Sequence, residues 1–167
     1  TTTILGSMKR IIYPGTFDPI HSGHIDIAER ASSLFDKLIF AVAVNSDKKP
    51  LFSAQERIDM ILESMKHINN IEAFSTEGLV ADFAREYKAV AIIRGLRHVS
   101  DFEFEFQMAT MNHHLNSSVS TLLMVTSEKY IHLNSSVVKD VARLKGDISN
   151  FVTPVVMENL KAKFGLT

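Results

Sequence analysis

The chain contains no cysteine. That excludes a disulfide framework, a thiol nucleophile and Cys-ligated zinc, and it fits a reducing, cytoplasmic setting. Neither sign of charge is in excess: 18 Lys and Arg stand against 19 Asp and Glu, a formal net charge of −1. Nothing global therefore points to nucleic acid, and any anion site has to be built locally. Long hydrophobic runs are also missing. The longest, residues 38–44, is far too short to span a membrane. Internal repeats, low-complexity segments and interdomain linkers are absent too. What is present is the composition of one globular domain, 46% hydrophobic and 22% charged over 167 residues. Residues 1–7 lack a charged n-region and a cleavage pattern. With Gly6-Ser7 just ahead of Met8, they read as an appended leader, and the domain is expected over residues 8–167.

The rest of the chain is organised around Tyr13-Pro14-Gly15-Thr16-Phe17-Asp18-Pro19-Ile20-His21-Ser22-Gly23-His24. An apolar run, Ile11-Ile12-Tyr13, reads as a strand before it, and an amphipathic helix is expected over 24–35. Two glycines and two histidines thus fall on a strand-to-helix turn, where α/β proteins present ligands to a helix N-terminus. Gly15 and Gly23 let the backbone approach a phosphate without a Cβ in the way. His24 can aim a ring N–H at the same anion. The spacing is neither a Walker loop nor a dinucleotide fingerprint.

Downstream, strands are expected at 37–44, 71–75, 89–93 and 119–125. The helices expected between and after them cover 54–66, 79–87, 101–115 and 137–145. A last helix starts at Thr153-Pro154. Ser53-Ala54-Gln55-Glu56 and Ser100-Asp101-Phe102-Glu103 read as capping boxes. Strand and helix alternate five times. That predicts an α/β, Rossmann-like, doubly wound five-stranded parallel sheet with helices on both faces. Ligands of such sheets sit beyond the carboxyl ends of the strands. Thr16, His24, Lys48, Arg94, Arg97 and 134–136 all fall there, so the site reads as one for polyphosphate.

Arg94 and Arg97, at the end of a buried strand, must reach water or meet an anion. Phe102, Phe104 and Phe106 alternate on one helix, so they are expected partly in the core and partly at an interface. His21 and His24 have a spacing that metals use, but no carboxylate follows at a metal-site interval, and no metal ligand is assigned. No triad order suggests itself around Ser135 and Ser136. Transfer to a phosphate acceptor needs no strong protein base, because a phosphate monoester is already anionic.

His21-Ser22-Gly23-His24 resembles the (H/T)-x-G-H signature of the nucleotidyltransferase superfamily. The longer run, with KKPLF at 48–52, IRGLR at 93–97, DFEFE at 101–105 and NSSVVKDVA at 134–142, resembles the phosphopantetheine adenylyltransferase family over nearly the whole chain. The resemblance implies transfer of adenylate from ATP to 4′-phosphopantetheine, giving dephospho-coenzyme A and pyrophosphate. It implies Mg²⁺ carried mainly by ATP phosphates, and a homohexamer in the bacterial cytoplasm. Thr16 would contact both substrates and, with His24, the α-phosphate. Phe17 would lie beside the nucleotide. Lys48 and Arg94 would hold the acceptor phosphate, and Val80 would line the pantetheine arm. Gly95, Leu96, Arg97 and Glu105 would bind ATP. Tyr130, Ile131, His132, Leu133, Asn134, Ser135 and Ser136 would close over adenine and phosphates.

The second signature departs from the family's I-S-S-[ST], since Asn134 replaces a serine. Asn caps helices well. Two rivals stand beside this reading: a nicotinamide-mononucleotide adenylyltransferase, and a non-catalytic nucleotide-binding module on the same fold.

Overall fold

The computed structural model describes residues 6–44 and 49–166. Five parallel strands form one sheet: β1 Arg10–Gly15, β2 Lys37–Ala43, β3 Ile71–Thr76, β4 Ala91–Leu96 and β5 Ser120–Val125. The helices are α1 Ser22–Ser32, α2 Ala54–Ser64, α3 Val80–Glu86, α4 Val99–Leu115, α5 Ser135–Arg143 and α6 Pro154–Phe164. A single 3₁₀ turn, Glu128–Tyr130, lies between β5 and α5.

The apolar runs are continuous because β1 and β2 are covered on both faces. Ile11, Tyr13, Leu38, Phe40 and Ile93 point into one core, which α1, α2, α5 and α6 close with Ile27, Met60, Val138 and Leu160. Ile12, Ile39, Ala41 and Ile92 point into a smaller core under α3, filled by Phe83 and Ala84. Period-two alternation thus feeds two cores from the same strands.

The strand order is β3-β2-β1-β4-β5. The winding therefore reverses between β1 and β4, whose registers meet at Ile12↔Ile92. In an open α/β sheet such a reversal leaves a crevice at the carboxyl ends of the two strands. Gly15-Thr16 and Gly95 lie at that crevice.

Four local expectations are corrected. β4 does not stop at residue 93. Arg94, Gly95 and Leu96 stay in the ladder, opposite Leu123, Met124 and Val125, because β5 continues to Val125 and keeps pairing them. α1 starts at Ser22, with His21 as its N-cap. The capping box at 100–103 does not form. α4 starts two residues earlier, at Val99, and the Asp101 carboxylate instead accepts the Arg97 and His98 amides at 3.3 and 3.2 Å. Finally, Phe102, Phe104 and Phe106 are all exposed, and the single buried residue of α4 is Glu105. A half-buried arginine on β4, Arg94, draws the Glu105 carboxylate inward.

Candidate active site

The β1–α1 turn is built by its own histidines. His21 Nδ1 accepts the Gly23 amide at 3.1 Å, and His24 Nδ1 accepts the His21 amide at 3.1 Å. The two rings stack with centroids 3.7 Å apart. A Cβ on residue 23 would come within 2.9 Å of the His21 ring, so the turn needs glycine there.

Both Nδ1 atoms accept, so a neutral ring must carry its proton on Nε2. Both rings are neutral at pH 7. Burial, followed by the neighbouring His21 (once protonated) and the charges of Arg97 and Arg94, holds His24 well below the usual histidine range. Burial, then Arg97, lowers His21 to about 4. His24 is therefore a fixed, uncharged Nε2–H donor. Phe17 supports it from the core, edge-on at 4.9 Å between ring centroids.

β4 supplies the opposite wall. Arg94 donates from Nε and Nη2 to the two oxygens of Glu105, both at 2.9 Å, and from Nη1 to the Pro14 carbonyl at 2.9 Å. That uses three of the five guanidinium N–H bonds and leaves two. Arg97 donates to the Leu133 carbonyl at 2.9 Å and lies 3.7 Å from Asp101. The third wall is the segment after β5. Asp26 of α1 accepts the Ser127 hydroxyl at 2.8 Å and its amide at 3.3 Å. Asn134 caps α5 by accepting the Val137 amide at 2.9 Å, and the Ser135 hydroxyl donates to the Pro19 carbonyl at 2.9 Å. Asn134 is thus an effective side-chain cap of α5.

These walls enclose a cavity of about 510 Å³. Among the residues singled out from sequence, the turn contributes Thr16, Phe17 and His24 to its lining. β4 and α4 contribute Arg94, Gly95, Arg97 and Glu105, and the segment before α5 contributes Tyr130, Leu133, Asn134 and Ser135. Leu96, Ile131, His132 and Ser136 stand outside the lining. His132 packs edge-on against Phe151 instead. Val80 also stands apart, half-buried against the smaller core, and of its neighbours Ala81 is buried while Leu79 is exposed. Lys48 lies outside the described residues.

Sequence reasoning missed Tyr13, Ser100, Asp101, Phe104 and Thr126 as lining residues. Tyr13 had a usable signal, its place on the strand before the turn. Thr126 had none: it reaches the cleft because β5 ends opposite Leu96, which brings the Thr126 hydroxyl about 3.6 Å from where a Cβ on residue 95 would sit.

The carboxylates on the cleft, Asp101 and Glu105, are engaged by Arg97 and Arg94. Among the described residues no group of three or more His, Cys, Asp or Glu is placed to hold a metal ion. The Ser135 hydroxyl is committed to a carbonyl rather than to a base. The cleft thus offers neutral ring donors, two arginines and two helix N-termini, a set suited to binding phosphate and stabilising charge on it.

A cytidylyltransferase-like family model matches residues 12–141. A phosphopantetheine adenylyltransferase from Caldanaerobacter subterraneus subsp. tengcongensis is 52% identical over 157 residues, covering 94% of this chain and 98% of that protein. A phosphopantetheine adenylyltransferase from Heliobacterium modesticaldum is 49% identical, covering 96% and 95%. A solved structure from Vibrio parahaemolyticus, provisionally described as a nicotinate-nucleotide adenylyltransferase, superposes with a TM-score of 0.67 over 93% of both chains at 19% identity, a likeness of fold alone.

Proposed function

The chain belongs to the phosphopantetheine adenylyltransferase family, and from that membership we propose that it transfers adenylate from ATP to 4′-phosphopantetheine in coenzyme A biosynthesis. A phosphate oxygen of the acceptor attacks the α-phosphorus of ATP. The bond from that phosphorus to the bridging oxygen of the β-phosphate breaks, and dephospho-coenzyme A and pyrophosphate form. The acceptor oxygen is already anionic, so no protein base has to remove a proton. The chain must hold two polyanions in line and meet the charge that grows on the α-phosphate.

One observation carries this reading: the His21 amide occupies Nδ1 of His24, which leaves a neutral Nε2–H as the donor on the cleft side. Thr16, exposed at the end of β1, would reach both substrates from the same turn. The two remaining N–H bonds of Arg94 would take the acceptor phosphate, together with Lys48. Arg97, Gly95 and the segment 130–135 would take ATP. Mg²⁺ would be carried mainly by the triphosphate, where it would offset phosphate charge. No helix of the described chain is long and apolar enough to cross a membrane, which is compatible with a cytoplasmic enzyme. The apolar face of α4 is compatible with a homohexamer.

Pyrophosphate release should depend on both ATP and 4′-phosphopantetheine. Release with nicotinamide mononucleotide at equal or greater kcat/KM would overturn the acceptor, and ATP binding without release would leave only a binding module.

A further inference from the structure

Arg57, on the first turn of α2, is 2% exposed, the largest of the fully buried side chains. Among the described residues it has no carboxylate within ion-pair distance; the charge of Asp18 acts on it from farther away. Among the described residues its hydrogen bonds go to four backbone carbonyls. Nη1 donates to Thr16 at 2.8 Å and Ala43 at 2.9 Å, and Nε donates to Phe52 at 3.2 Å and Ser53 at 3.3 Å. Those carbonyls come from three separate places: the β1–α1 turn, the last residue of β2, and the N-cap of α2. Asp18 supplies the complementary half, accepting the Leu51 and Phe52 amides at 2.8 and 2.9 Å and the Lys139 ammonium at 2.9 Å.

A cation sealed from water costs several kcal/mol, and that cost is tolerated where its hydrogen bonds are filled. Helix packing alone gives no reason for a guanidinium here, because an aliphatic side chain would fill the same space more cheaply. What a guanidinium adds is a rigid fork that holds several oxygens at fixed mutual distances. The oxygens it holds belong to the residue that would face the α-phosphate, to the last residue of β2 and to the start of α2.

We propose that Arg57 is a positioning residue for adenylyl transfer, setting the distances between the Thr16 turn, the end of β2 at Ala43 and the start of α2 at Phe52-Ser53. The proposal rests on the adenylyl-transfer reading. In-line attack tolerates little displacement: a shift of about 1 Å can cost on the order of 10²-fold in rate. ATP binding is carried largely by β4, α4 and α5 and should be spared.

The test is Arg57→Lys, which keeps the charge and loses the fork, with Arg57→Gln beside it. Both are compared with the unaltered protein by steady-state kinetics, ATP titration and amide hydrogen exchange. The expected result for Arg57→Lys is a cooperative melt, ATP affinity within about threefold, and kcat down about 10–10²-fold with a raised KM for 4′-phosphopantetheine. Exchange at the Leu51 and Phe52 amides should rise at least about tenfold, with β4 and β5 amides unchanged. Arg57→Gln, which lacks the fork and the charge, should show the same pattern and be no less impaired. A kcat within about twofold of the unaltered protein, or losses that track the folded fraction equally for both substrates, would overturn the proposal. If the unaltered protein transfers no adenylate to 4′-phosphopantetheine, the functional reading fails instead. The exchange rates at Leu51 and Phe52 still decide whether Arg57 is the tether.

Discussion

At the residue scale, His24 would act without titrating. Its proton is fixed on Nε2 by the amide on Nδ1, and its surroundings refuse a second proton. His24→Ala should lower kcat by about 10²–10³-fold while ATP affinity stays nearly constant, as for the loss of one transition-state donor. An unchanged kcat would remove His24 from the chemistry. The same burial makes the turn acid-sensitive. The unfolded chain takes a proton on His21 near pH 6.5, which the folded chain refuses until about pH 4. A depressed folded value means that this stability is complete above pH 6.5 and is lost as the pH falls toward 4. It amounts to roughly 3 kcal/mol for His21 alone. In His21→Asn the cap survives and the titrating ring is gone, so urea unfolding free energies should fall less steeply between these pH values. An identical slope in the variant would contradict the assignment.

At the scale of elements, α4 is positioned by charge rather than by apolar burial. Glu105 is its one buried side chain, and it holds both Nε and Nη2 of Arg94. Glu105→Gln should destabilise the fold by about 2–3 kcal/mol. That is less than the roughly 3–5 kcal/mol for breaking a fully buried pair, because Arg94 keeps partial access to solvent. The freed Arg94 should also raise KM for the acceptor. Thermal melts and kinetics of one preparation decide both points, and a variant with unaltered melting would show that packing, not the pair, docks α4. The segment after β5 depends in the same way on Asp26, through Ser127. Asp26→Ala should raise KM for ATP severalfold with little change in kcat, and an unchanged KM would show that this wall of the cleft stands without the tether.

At the scale of the whole molecule, one face remains uncovered. Val99 is 92% exposed, and Phe104, Phe106 and Met111 are each more than half exposed on the same helix. Leu122 and Val125 on the edge strand β5 are exposed as well. Soluble monomers rarely present so much apolar surface on one element. Sedimentation should therefore show an assembly at micromolar concentration, and Phe104→Glu or Phe106→Glu should shift it toward a species of 18.7 kDa. A monomer for the unaltered chain would refute self-association.

Period and punctuation determined most of the fold. Continuous apolar runs at β1 and β2, glycines at the first turn, and Thr153-Pro154 all act through neighbours a few residues away, so they are visible in a one-dimensional string. The strand-end rule likewise brought Thr16, His24, Arg94 and Arg97 to one cleft. Tertiary structure decided what depends on partners far along the chain. β4 extends to Leu96 because β5 pairs with it, and α4 turns Glu105 inward because Arg94 waits there. Thr126 joins the cleft because β5 ends opposite Leu96 and leaves its hydroxyl near Gly95. Arg57 reads in sequence as a helix residue near a capping box. It became a clasp on Thr16 and Ala43 only once strand order had brought segments 41 and 14 residues away to its guanidinium. Long-range hydrogen bonds of that kind leave no local period, since nothing in the neighbouring sequence encodes which carbonyls will arrive.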